Sequence, residues 1–204
     1  MIVHVDAAFV IAEKPPGLPT VPGRPVELHD CLWHRVRALH ADALIVHRLD
    51  MGTSGLVVFA RGIEAQRALS RAFEQRLVGK TYIALAAGDL DGDEGEIDLP
   101  LAADWLARPR QIVDREHGKA ALTRWRVLER YDTHTRIELQ PRTGRSHQLR
   151  VHLAAIGHPL LGDPLYAPPA IEAAMPRLAL HASALAFLHP DDGTPRVYTS
   201  SVPF

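Results

Sequence analysis

The order of apolar segments along the 204 residues predicts an α+β protein. Three observations carry this. Strand-like and helix-like segments do not follow the strict alternation of a doubly wound α/β fold. Two neighbouring segments, Thr123–Glu129 and Arg136–Leu139, alternate polar and apolar residues about Asp132-Thr133-His134, as an antiparallel pair does. A chain with 47% hydrophobic and 23% charged residues is also long enough to enclose a substantial core.

Phe9–Glu13 reads as a short strand ended by Lys14-Pro15-Pro16-Gly17. Pro16, Pro19, Pro22 and Pro25, with Gly17 and Gly23, make the following segment a stiff surface loop. Apolar residues at Leu28, Leu32, Val36 and Leu39 mark a helix over 28–39. Leu56–Ala60 is a buried strand, and Ala65, Leu69, Ala72, Phe73 and Leu77 form one helical face. Thr81–Ala87 reads as a strand, and the acidic stretch Asp89–Asp98 as a solvated turn. His147–Ile156 reads as a helix with Leu149, Leu153 and Ile156 inward and Gly157 as its stop. Leu178–Leu188 and Arg196–Thr199 close the chain as strands. No repeat or linker divides it, so one domain over 1–204 is expected.

Several function classes are disfavoured at once. A net charge of −1 gives no global pull towards nucleic acid or membrane. The lone Cys31 cannot form an internal disulfide, which fits a reducing compartment. No secretory leader or membrane-length apolar run is visible, so a cytoplasmic protein is expected. Arg outnumbers Lys 20 to 3, and Asn is absent, a pattern that genomic base composition explains.

Most chemical motifs fail on spacing. Gly79-Lys80-Thr81 lacks the glycine a phosphate loop needs five positions earlier, where Glu74 stands. Asp89, Asp91 and Asp93 imitate a calcium loop, but Glu94 and Pro100 occupy its glycine and glutamate positions. His147 and His152 lie about 140° apart around a helix and diverge, and no HExxH pair exists. No G-x-S-x-G elbow is present. No metal or cofactor is expected.

Two segments survive. His47-Arg48-Leu49-Asp50-Met51-Gly52-Thr53-Ser54-Gly55 places a carboxylate two residues after a guanidinium, on a loop shaped by glycines and hydroxyls. Arg142-Thr143-Gly144-Arg145-Ser146-His147-Gln148-Leu149-Arg150-Val151-His152 gathers three Arg and two His around a helix start, where backbone donors favour an anion. The bland readings are a turn tied down by an Arg–Asp pair and a solvated helix start.

HRLDMGTSG, the K-x-Y of Lys80-Thr81-Tyr82, and GRSHQLRVHLAAIGHPLLGDPLY, in this order, resemble the RluA family of RNA pseudouridine synthases. The resemblance covers nearly the whole chain. It extends to the RluA subgroup through Val21-Pro22-Gly23-Arg24 and Asp104-Trp105 followed by Arg108-Pro109-Arg110-Gln111. The first strand begins within ten residues, so no separate N-terminal RNA-binding domain of the S4 type is expected.

The resemblance implies a mixed, mainly antiparallel sheet flanked by helices and loops. It implies an isomerase that detaches uracil from C1′ of its ribose, turns it and rejoins it through C5. Asp50 would be the essential carboxylate, adding to the sugar or removing a ribose proton. Arg145 would pair with Asp50 and keep it ionised, since a nearby cation favours a carboxylate. Tyr82 would pack against the base and take the C5 proton. The target base must leave its stack, and Arg48 would steady the vacated place or a nearby phosphate. His47, Arg24, Arg108, Arg110, Arg142, His147 and Arg150 complete the expected RNA contacts. The subgroup implies stem-loop uridines of 23S rRNA, the tRNA anticodon stem-loop, or both, and a monomer is expected.

Two rivals stay open at this point. A non-catalytic RNA-binding or RNA-folding factor would keep the same fold. A nucleoside N-glycosidase would need a second acid across the bond. The motif segments offer only Asp163, which reads more simply as a turn residue.

Overall fold

The computed structural model describes all residues, Met1–Phe204. In chain order the elements are β1 (Ile2–Val5), β2 (Phe9–Lys14), α1 (Leu32–Leu39), β3 (Ala43–Ile45), β4 (Ser54–Arg61), α2 (Ile63–Glu74), β5 (Gly79–Ala87), β6 (Glu94–Asp98), β7 (Leu101–Ala103), β8 (Gln111–Val113), β9 (Leu122–Arg130), β10 (His134–Pro141), α3 (Gln148–Ala155), α4 (Pro169–Glu172), β11 (Leu180–Leu188) and β12 (Pro195–Thr199). The chain forms two compact units. One is Met1–Lys80 with Ala182–Pro203, and the other is Thr81–His181 with Phe204. No helix is long and apolar enough to cross a membrane.

In the first unit β2 pairs antiparallel with both β1 and β4, β3 with β4, and β11 with β12. Leu56, Val57, Val58, Phe59 and Ala60 are all fully buried. Burial on both faces of β4 accounts for a continuous apolar run in place of alternation. On one face α2 sets Ala65 and Leu69 against Phe9, Ile11, Leu56, Val58 and Ala60. Gly55 opens β4 at φ +112°, and a Cβ there would lie 2.3 Å from the Ala182 carbonyl oxygen. Backbone conformation and backbone approach both require glycine at this position. The segment expected as one helix over 28–39 is a 3-10 turn at Val26–Leu28 followed by α1, because Leu28 turns back to accept the Gly23 N–H.

In the second unit β5 pairs with β10, β10 with β9, and β9 with β6, every pair antiparallel. Asp89–Asp98 is therefore not wholly a solvated turn: its second half is β6. Ile97 is buried there, while Glu96 faces outward and pairs with Arg124 of β9 at 2.5 Å. Acidic residues on the outward face hid the strand alternation. β7 and β8 form a separate hairpin.

α3 begins at Gln148, with His147 as its cap in the left-handed region at φ 54°. Its start is not solvated, for Gln148 through Leu153 are all buried. Leu149 and Leu153 join Ala84, Ile97, Ile137, Leu139 and Leu160 in the core. The polar residues are buried with partners. Gln148 Oε1 accepts from Thr143 Oγ1 and the Arg145 N–H, and its Nε2 donates to Leu122 O and Thr123 Oγ1. The ring nitrogens of His152 contact Thr123 Oγ1 at 2.9 Å and Leu99 O at 3.0 Å. Arg150 donates to both carboxylate oxygens of Asp163, at 2.7 and 2.6 Å, and the two side chains are 5% and 0% exposed. Asp163 Oδ1 also accepts the N–H groups of Leu165 and Tyr166, so the residue read as a turn former is one, and is ion-paired as well.

Removing one partner of a buried pair leaves an uncompensated charge. Asp163→Ala is expected to lower unfolding free energy by about 3–5 kcal/mol, read from urea denaturation. The double replacement Arg150→Met/Asp163→Leu should recover most of the loss. A single-variant loss below about 1 kcal/mol would contradict this account.

Candidate active site

The motif loop of the first unit, 47–55, is held by a segment far from it in sequence. Thr20 Oγ1 donates to the Leu49 carbonyl at 2.8 Å and accepts the Leu49 N–H at 3.0 Å. On the other side of Asp50, the Met51 carbonyl accepts from Lys14 Nζ at 2.9 Å and from the Gly17 N–H at 2.8 Å. Lys14 is fully buried and donates also to Pro15 O and Leu18 O. A turn closed by the Thr53 N–H on Asp50 O completes the loop. Asp50, half-buried, thus sits between two anchored neighbours. This limits the directions its carboxyl can take.

The two residues before it differ sharply. Arg48 is exposed and has no carboxylate partner. His47 is half-buried, stacks on Phe73 with ring centroids 4.4 Å apart, and accepts the Val58 N–H at Nε2 over 3.0 Å. Burial, with the Lys80 ammonium adding to it, holds its pKa down to about 3. The expectation that His47 contacts RNA is corrected. It is a neutral imidazole with one nitrogen committed to β4, and it offers no cation to a phosphate. Lys80 itself is pushed below the usual lysine range, by burial first and then by Arg76.

In the second unit Tyr82 lies on β5 opposite Leu139, half-buried against the apolar cluster that contains Leu149. Arg145 is on the turn before α3. Its N–H binds Gln148 Oε1, and its Nε donates to the Ala120 carbonyl at 3.1 Å. One of five guanidinium donors is so used, and the terminal nitrogens keep theirs for an anion. His147 Nδ1 lies 2.7 Å from Tyr166 Oη. Arg142 is exposed beside this turn. Arg150, expected to contact RNA, is corrected, since its guanidinium is enclosed and spent on Asp163. Tyr82 and Arg145 belong to the second unit, whereas Asp50, Arg48 and the exposed Arg24 belong to the first. Arg108 and Arg110 are exposed on the connection between β7 and β8.

Sequence reasoning missed Lys14, Thr20, Gln148 and Tyr166. Lys14 carried one usable signal: a lysine ending a strand that opens with four apolar residues must take its charge somewhere. The others show themselves only through partners distant in the chain.

The depressed pKa of His47 sets a pH dependence. Between about 6.5, its ordinary value, and about 3, the unfolded chain binds a proton that the folded protein refuses. Stability is therefore complete above about 6.5 and falls as pH drops through this window. The His47 ring should show no NMR titration between pH 8 and 5. In His47→Gln, which keeps an acceptor for Val58 but cannot titrate, the decline from pH 7 to 4 should be shallower. A ring that titrates near 6.5 would overturn this.

Comparison with known proteins identifies the family. A family model described as RNA pseudouridylate synthase matches residues 8–155. A relative from Pasteurella multocida is 51% identical over 190 residues, 93% of this chain and 87% of the relative. Relatives from Yersinia pestis and Escherichia coli (strain K12) are 47% and 44% identical across the whole of this chain, covering 100% and 94% of their own lengths. All three are named dual-specificity RNA pseudouridine synthase RluA. Among solved structures, human RNA pseudouridylate synthase domain containing 1 superposes with a TM-score of 0.83 at 29% identity, over 100% of this chain and 83% of its own. Human RNA pseudouridylate synthase domain containing 4 gives 0.80 at 26% identity, over 99% and 88%. The chain belongs to the RNA pseudouridylate synthase family, and its reaction is the isomerisation of uridine to pseudouridine in RNA.

Proposed function

We propose that the enzyme acts on uridines in stem-loops of both 23S rRNA and tRNA, the latter in the anticodon arm, with Asp50 as the essential carboxylate. The observation that carries the reading is full-length similarity to dual-specificity relatives, together with an intact Asp50 motif loop whose flanking residues are pinned. Two unlike RNAs can share one enzyme when it reads a common loop shape and a few splayed bases. Residues 1–204 work as one catalytic domain, as a monomer in the cytoplasm.

In the reaction the C1′–N1 bond breaks and a C1′–C5 bond forms, with C5 losing its proton and the freed N1 ending with one, so no proton is gained or lost overall. No oxidation state changes, so the work falls to placed side chains. An ionised Asp50 serves either addition to C1′ or removal of a ribose proton. Arg145 is assigned as the cationic partner of that carboxylate. Tyr82 packs on the base and accepts the C5 proton. Arg48 holds the place of the everted nucleotide, while Arg24, Arg108, Arg110 and Arg142 meet phosphates. His147 acts at the turn that presents Arg145.

Because C5 loses its hydrogen, RNA labelled with tritium at that carbon reports turnover directly. Release from rRNA and tRNA stem-loop transcripts is expected, with no free uracil, and Asp50→Asn should reduce it by more than about a thousandfold. Free uracil would identify an N-glycosidase, and no release from either RNA would identify a binder. Release from one RNA alone would remove the dual specificity. Arg48→Ala should lose more turnover on a folded stem-loop than on an unstructured fragment, and equal losses on both would refute its part in base flipping.

A further inference from the structure

The β7–β8 hairpin displays at its tip what a soluble surface ordinarily hides. Trp105 is 73% exposed and Leu106 101% exposed. Neither belongs to the apolar clusters of the core. The tip is nonetheless braced from within. Asp104 Oδ1 accepts the N–H groups of Leu106 and Ala107, the Asp104 N–H donates to Arg110 O, and the Arg110 N–H to Ala107 O. At the root, Tyr166 Oη accepts the Gln111 N–H at 2.8 Å. A built and anchored turn therefore holds two large apolar side chains out in water.

The charges around it indicate the kind of partner. The Arg108 guanidinium lies 3.5 Å from the Trp105 ring centroid, and Arg110 lies 5.4 Å from that of Tyr166. Neither arginine has a carboxylate partner, and the one acid of the turn, Asp104, is engaged by backbone N–H groups. A guanidinium can cover only one face of an indole, and most of Trp105 stays accessible. An aromatic face beside unneutralised guanidinium groups matches the pairing of base and phosphate in an unpaired nucleotide.

We propose that the hairpin tip is an RNA-stacking contact. Trp105 stacks on an unpaired base of the stem-loop outside the target nucleotide, Leu106 wedges beside that base, and Arg108 binds an adjacent phosphate. This rests on the RNA substrate of the proposed function and goes beyond it by naming a contact and its mode.

The test uses full-length Asp50→Asn, which prevents turnover, and a fluorescein-labelled anticodon stem-loop transcript followed by anisotropy. In that background Trp105→Ala should weaken binding by about 5- to 150-fold, with the dependence of log Kd on log salt unchanged because the lost contact is uncharged. Trp105→Phe should bind within about threefold of the parent, since an aromatic face remains. Arg108→Ala should instead flatten the salt slope by about one. Quenching of tryptophan fluorescence on RNA addition should be seen in the parent and largely lost in Trp105→Phe. A Trp105→Ala protein that binds within twofold of the parent overturns the inference, as does one whose salt slope flattens like that of Arg108→Ala. A parent that binds no stem-loop overturns the proposed function as well.

Discussion

A buried ammonium has to find oxygens for its donors, and in the first unit that requirement shapes the candidate site. Lys14 ends a strand whose other residues are almost all apolar, and none of it is exposed. An unpartnered charge in such a place would cost several kcal/mol. Its donors reach the carbonyls of Pro15, Leu18 and Met51. The first two fold the chain back just after β2, and the third belongs to the residue after Asp50. Thr20, on the same early loop, takes both backbone groups of the residue before Asp50. The proline-rich loop and the motif loop therefore form one hydrogen-bonded body, and displacing Asp50 would strand donors on both sides of it.

Polar burial also organises the second unit, with different residues. α3 has polar groups on its buried side: an amide and an imidazole that both bond to the start of β9, and a guanidinium that pairs with Asp163. Gln148 uses both ends of its amide, one on the Thr143–Arg145 turn and the other on β9. The turn that bears Arg145 is thereby tied to the helix and the sheet at once. The cap residue His147, at φ 54°, accepts a conformation costing about 1–2 kcal/mol for a residue with a Cβ. Its contact with Tyr166 Oη offsets part of that cost. A segment read from sequence as a helix start open to ligand is thus mostly scaffold, and Arg145 is the member left with donors to spare.

This division explains what the amino-acid order reveals and what it conceals. Strands β2, β4, β5, β9, β10 and β11 were predictable because burial writes itself as apolar runs or alternation. The helical stripes of α2 and α3 were visible for the same reason. β6 was masked by glutamates whose partners lie on β9, a pairing only the register supplies. The motif loop around Asp50 was found from its residue types, but Lys14 and Thr20 were not: the apolar strand before Lys14 marks its charge as one to be satisfied, yet only the fold shows that it clamps the motif loop. His47 and Arg150 were misassigned for the converse reason. Cationic side chains in a motif suggest phosphate, yet one is neutralised by burial and the other by Asp163.

The arginines resolve a further tension between a neutral protein and a polyanionic substrate. Arg35, Arg61, Arg67, Arg124, Arg126, Arg130, Arg150 and Arg196 each pair with a carboxylate. Arg24, Arg37, Arg48, Arg71, Arg76, Arg108, Arg110, Arg115 and Arg142 are exposed and have none. The first group is cancelled locally by its acids, and all 23 Lys and Arg against 24 Asp and Glu give the total of −1. Of the second group, Arg24, Arg48, Arg108, Arg110 and Arg142 stand in or beside the motif segments, while Arg37 and Arg71 lie on α1 and α2. Net charge sums over both and so conceals the pattern, whereas a phosphate within a Debye length of about 8–10 Å senses chiefly the second. Local positive potential is thus compatible with a nearly neutral chain, which avoids the indiscriminate binding that a strongly basic protein would show.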